Sequence, residues 1–180
     1  MRVLHRQQGQ LDCLCGLYSI VNAITEINPN LSNKDAEQLF KALCTYLKGE
    51  GLLFEALTEG CYIPLISKML HVAKNWLEAR HSRSMVWRKP FHKNSAALPS
   101  EVFDVIGGYL GEKDGTCITG FEGKISHWTV ISAISPKRLS LLDSDGRKHI
   151  RRDMCRSHLE TSEDRFYWVY PSAVFLLELT

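Results

Sequence analysis

Apolar positions along this chain recur with two different periods, and the change of period divides it. In the first part they return every three or four residues, as on the buried face of a helix. Cys15 opens one such segment, and Asn28-Pro29-Asn30 ends it near residue 26. Ser32-Asn33-Lys34-Asp35 offers a capping-box start for a second helix, with Leu39, Phe40, Leu43 and Leu47 as its stripe and Gly49 at its end. A third helix is predicted over about residues 64–79, with Leu65, Met69, Val72, Trp76 and Leu77 facing the core. Met85-Val86-Trp87 then predicts a short strand, and Pro99-Ser100-Glu101 opens a brief helix through Val102, Phe103, Ile106 and Leu110. From Gly115 onward the spacing is strand-like, with strands predicted over 116–121, 127–134, 138–143, 147–151, 166–169 and 173–179. A short strand over 3–6 and a loop over 7–12 precede the first helix. Helices first and strands later predict an α+β fold, with a cleft where the halves meet. The expected organisation is one domain over 1–180, helical to about residue 112 and β from about 113.

Composition narrows the function classes. A chain of 180 residues suits one domain, which buries roughly 70% of the surface its unfolded form exposes. Its apolar fraction of 44% is that of a globular protein rather than a disordered one. The net charge is only +2 and the Lys and Arg are dispersed, which excludes the basic stripe of a nucleic-acid binder. Arg147-Lys148-His149-Ile150-Arg151-Arg152 is the densest basic cluster; it reads as a solvated strand and turn, with a substrate-facing edge as the alternative. There is no apolar run near 18 residues, and Met1-Arg2-Val3-Leu4-His5-Arg6 has no signal-peptide core. A cytoplasmic location without membrane contact is therefore expected, with export by a route lacking a cleaved signal left open. The six cysteines lack paired metal spacings and read as reduced thiols, so no metal or organic cofactor is expected.

Three residues carry candidate chemistry. Cys15 precedes Gly16 at the predicted start of a helix, where the partial positive charge of unpaired N–H groups favours a nucleophilic thiolate. His127 begins Ser126-His127-Trp128-Thr129-Val130-Ile131, and Asp143 follows Leu141-Leu142. The turn at Ser135-Pro136-Lys137 makes these strands a hairpin, and antiparallel pairing sets the start of one beside the end of the other. A separation of 16 positions thus becomes the proximity that an imidazole and its orienting carboxylate require. Each residue alone has a plainer reading: a small buried thiol, an edge histidine, a turn aspartate. Their order as nucleophile, base and orienter favours catalysis. Asp145 is a rival orienter, Cys13 a rival nucleophile or a thiol that captures oxidised Cys15, and Trp128 either shields the His–Asp pair or packs in the core.

Cys15-Gly16-Leu17-Tyr18-Ser19, His127-Trp128-Thr129-Val130 and Leu142-Asp143-Ser144 resemble the papain-like cysteine hydrolase superfamily. The Cys–Gly start is most similar to bacterial peptidases that cleave double-glycine leaders and to ubiquitin C-terminal hydrolases. The resemblance implies a central nucleophile helix packed on a C-terminal antiparallel sheet or half-barrel. It also implies an oxyanion hole built from the Cys15 N–H and a glutamine side chain. Gln10, five positions before Cys15, fits by spacing; Gln8, at seven, is the alternative, and Gln7 lies at eight. Gln8 also lies five positions before Cys13, a spacing similar to the Josephin type of deubiquitinase. The implied activity is a thiol protease cleaving a peptide or isopeptide bond through a thioester. Its substrate is a protein or peptide, with a ubiquitin-like or leader-peptide tail as one form. A glutamine deamidase or transglutaminase-type effector using the same triad is the first alternative, and an inactive binding or adaptor module the second. Specificity is expected from loops at about 49–62, 80–98 and 120–126.

Overall fold

The apolar segment after Cys15 forms the central helix of an α+β fold. A computed structural model describes residues 6–9 and 12–180. Helix α1 (Cys15–Ile27) is buried on nearly every side, so it needs cover all round. Helices α2 (Asn33–Gly49) and α4 (Ile63–His81) cover one side and the sheet covers the other. Asn22, a buried polar residue of α1, is satisfied by the incoming chain. Its Nδ2 donates to Arg6 O at 3.1 Å, and the Arg6 N–H donates to its Oδ1 at 2.8 Å.

The Ser32 cap forms as its sequence predicts. Its Oγ accepts the Asp35 N–H at 3.2 Å while the Asp35 carboxylate accepts the Ser32 N–H at 3.0 Å. In α2 Leu39, Leu43 and Leu47 are buried and Phe40 is half-buried. In α4 Leu65, Met69 and Leu77 are buried, but Val72 and Trp76 sit at the margin, and Ile66, Leu70 and Ala73 complete the inner face. Within the expected loop over 49–62 lies a further helix, α3 (Leu53–Thr58). Six residues with one buried side chain, Ala56, are too few to show a helical period. The strand expected over 3–6 falls outside the described residues except for Arg6, which belongs to no regular element.

The strands are β1 (Met85–Arg88), β2 (Gly115–Gly123), β3 (His127–Ile134), β4 (Arg138–Leu142), β5 (His149–Arg151), β6 (Cys155–Ser157) and β7 (Tyr167–Leu179), with helix α5 (Pro99–Glu112) before β2. They lie in the order β1-β7-β2-β3-β4-β5, antiparallel along that path, and β6 pairs parallel to the start of β7. The sheet is open rather than closed on itself. The two strands expected over 166–169 and 173–179 are one, β7. Its register jumps where Phe121 faces Val169 and Thr119 faces Val174. Pro171, which has no N–H to donate, sits in that irregularity.

Each face of the sheet carries a core. Ile118, Trp128, Val130, Phe175 and Leu177 pack under α1 and its neighbours. On the far face Val102, Phe103 and Ile106 of α5 pack against Cys117, Ile131, Leu139 and Leu176. No helix among the described residues is long and apolar enough to cross a membrane.

Candidate active site

Cys15 is the first residue of α1 and is buried. Gly16 explains how it is held. A Cβ at Gly16 would fall 2.8 Å from Ile66 Cδ1 and 2.9 Å from Cys61 Cβ. The missing side chain therefore lets the start of α1 press on the start of α4, so the Cys–Gly pair is a packing requirement. The Asp12 carboxylate accepts the Gly9 N–H at 2.9 Å and the Leu14 N–H at 3.1 Å, which fixes the loop that leads into the helix.

The hairpin delivers the imidazole and its carboxylate. Val130 faces Leu142 across β3 and β4, so Asp143, just past β4, arrives beside the start of β3. His127 Nε2 and Asp143 Oδ2 lie 3.0 Å apart, with 4% and 0% of the two side chains exposed. The approach is off the line of an ideal hydrogen bond, and neither atom has another hydrogen-bond partner among the described residues. Asp143 Oδ1 accepts the N–H groups of Asp145 at 2.9 Å and Arg147 at 3.2 Å. Burial would raise the Asp143 carboxyl. His127, the Thr129 hydroxyl and the Arg147 N–H outweigh it and hold the group below the usual carboxylate range. Burial likewise opposes a charge on His127, but Asp143 and Cys15 outweigh it and raise the imidazole to about 10. Asp145 sits on the other ring nitrogen: its Oδ2 is 3.7 Å from His127 Nδ1, beyond hydrogen-bond reach, and its side chain is 40% exposed. Of the two candidate orienters, the buried one is Asp143.

Trp128 ties this strand to the thiol. Its backbone N–H donates to Cys15 Sγ at 3.4 Å, and its indole N–H donates to Cys61 O at 2.6 Å. A Cβ at Gly120 would come within 3.3 Å of the indole ring, so glycine there lets the ring lie on β2. The ring is buried beside Phe175, as core packing predicts. Sequence reasoning did not single out Cys61, whose thiol is pushed up to about 12 by burial and by Cys15. Its signal was Gly16: a glycine beside a helix-start cysteine marks a close neighbour, without saying which.

Cys15, His127 and Trp128 line a cavity of about 590 Å³ together with Gln8, Cys13 and Asp145. Gln8 is fixed by its partners. Its N–H donates to Ser144 O at 3.0 Å, its Oε1 accepts the Ser144 hydroxyl at 3.0 Å, and its Nε2 donates to Asp12 O at 3.3 Å. Gln10 lies outside the described residues. Gln7 lines a different groove, beside Tyr18 and Phe40. Cys13 is exposed and bound to α3, with its N–H on Leu57 O at 3.0 Å and its Sγ on Thr58 O at 3.3 Å. The expected wall at 80–98 is a correction: none of its residues lines the cavity, because Phe91 and Ala97 are drawn into the core under α5. The cavity walls come from 59–64 and from 120–122 with Ser126, in or beside the expected loops at 49–62 and 120–126, and from Tyr170. None of the basic residues at 147–152 lines it either.

His127, Asp143 and Asp145 place potential metal-ligand atoms within 4.8 Å of one another. The two carboxylates approach different ring nitrogens, which suits an imidazolium better than a metal held through one nitrogen. Compared with models of known protein families, with curated proteins and with solved structures, the chain matches none.

Proposed function

We propose that this protein is a cysteine hydrolase of papain-like type that cleaves a peptide or isopeptide bond in a protein or peptide substrate. The observation that carries the reading is the position of His127, between the buried Asp143 at 3.0 Å and the thiol of Cys15 at the head of α1. The Cys15 thiolate attacks the carbonyl carbon, and the electrons move to the oxygen. The Cys15 N–H is one donor to that oxygen, as backbone donors in the first turn of a helix lack partners. The Gln8 amide, which lines the same cavity, is the second, with Gln10 as the alternative. Collapse of the intermediate expels the amine, which takes its proton from the His127 imidazolium and leaves a thioester on Cys15. Water, deprotonated by His127, then releases the acid. Asp143 keeps the ring oriented throughout.

The test incubates the protein and its Cys15→Ala variant with a denatured proteome and reads new amino termini, freed lysine amines and ammonia. New amines that depend on Cys15 support the proposal. Ammonia without new amines would assign glutamine deamidation instead. Products unchanged by Cys15→Ala, or none at all, would overturn catalysis and leave a binding module.

A further inference from the structure

The cavity is acidic although the whole chain is not. Asp12, Glu59, Glu122 and Asp145 line it, and no Lys or Arg among the described residues does, in a protein whose net charge is +2. None of the four forms an ion pair with a Lys or Arg among the described residues. They are not equally free. Asp12 is occupied in capping the loop before α1, and Glu122 sits against the Tyr170 hydroxyl. Glu59 is exposed at the end of α3, and Asp145 lies 3.7 Å from His127 on the solvent side. Cations close in sequence point elsewhere: Lys124 Nζ lies over the Tyr167 ring at 5.5 Å, and Arg147 is absent from the lining. The carboxylates also do not stand alone. The same cavity holds the reactive pair Cys15 and His127, and Tyr62, 45% exposed, offers an aromatic face on its wall. Carboxylates beside an aromatic face, in a concave site with low-dielectric walls, form a receptor for an organic cation.

We propose that this cleft selects a peptide or protein segment carrying a lysine or arginine side chain beside the bond that Cys15 attacks. The proposal rests on the hydrolase reading above and names its substrate class. Glu59 and Glu122, both exposed, set the preference from the rim, whereas Asp145 lies against the imidazole; Tyr62 supports the long side chain of the basic residue. An acidic residue at the same place is repelled.

Three peptidyl acyloxymethyl ketones, identical except for Arg, Leu or Glu next to the ketone, test this through the rate at which each captures Cys15, read by intact mass and peptide mapping. The Arg probe is expected to react at least about tenfold faster than the Glu probe, and the ratio should fall as salt is added. Combining Glu59→Gln with Glu122→Gln should move the ratio toward one. A Glu probe as fast as the Arg probe, or a ratio indifferent to salt and to both substitutions, overturns the specificity and leaves the hydrolase reading standing. If no probe captures Cys15 while Cys13 or Cys44 reacts, the hydrolase reading falls and takes the proposal with it.

Discussion

On one face of the sheet β3 meets α1 through Trp128 and Val130; on the other it meets α5 through Ile131. Both contacts come from the same alternation of side chains along one strand. They end differently. The contact under α5 is apolar and closed, with Ile106 and Val102 fully buried, and its side chains take no part in the thiol or imidazole. The contact under α1 runs out at the sheet edge, where Trp128 turns its two N–H groups to Cys15 Sγ and Cys61 O and the core opens into the cavity. Stability and the position of the thiol are therefore joined on one face only. Under α1 the residues that pack the helix also place the Cys15 thiol, whereas under α5 packing can change without touching it.

Substitutions should separate the faces, with effects on the site falling in a definite order. Cys15→Ala should reduce turnover by a factor of about 10⁴ or more, measured on whichever substrate the proteome test identifies, with the thermal midpoint little changed. Asp143→Asn should lower turnover by about 10² to 10⁴, since a buried orienter fixes the imidazole tautomer. Asp145→Asn, at the exposed nitrogen, should change it less than about tenfold, and an equal loss from both would remove the distinction between the two carboxylates. Gly16→Ala should cost about 1–3 kcal/mol in denaturant unfolding and slow alkylation of Cys15, because the added methyl meets Ile66 and Cys61. Ile106→Ala, on the far face, should cost about 2–5 kcal/mol yet leave the alkylation rate of Cys15 unaltered.

The dependence of stability on pH sharpens the same contrast. His127 is raised from its ordinary value of about 6.5 to about 10 when folded. Its contribution is fully present below the unfolded value and is lost as pH climbs toward about 10. Asp143 is lowered, so its contribution is present above its unfolded value and is lost as pH falls through the folded one. Thermal midpoints should therefore fall on the alkaline side in the native protein. They should fall less in a His127→Gln variant, whereas Ile106→Ala should shift the whole curve downward without changing its shape.

Local signals made much of this legible. The Ser32 capping box, the apolar stripe of α2 and the His127–Ile134 strand are stated by adjacent residues, and the Ser-Pro turn is enough to pair His127 with Asp143. Helix α3 and strand β6 were not legible, because six and three residues are too short for a period to register. Pro171 hid the continuity of β7, since a proline reads as a strand break until the bulge that tolerates it is seen. Other contacts are set only by tertiary packing: α5 on the far face, the segment 80–98 away from the cleft, and Cys61 against Gly16. Chain order named Cys15, His127 and Asp143, and the expected strand end favoured Asp143 over Asp145; the burial of one carboxylate and the exposure of the other are set by the fold.

Whether His127 activates the Cys15 thiol is read most directly from the rate of iodoacetamide alkylation, mapped by mass in native protein and in His127→Ala. Cys15 is expected to react well ahead of Cys13 and Cys44, and His127→Ala to remove the advantage. Faster labelling of Cys13, or a Cys15 rate unaffected by loss of His127, would contradict that activation.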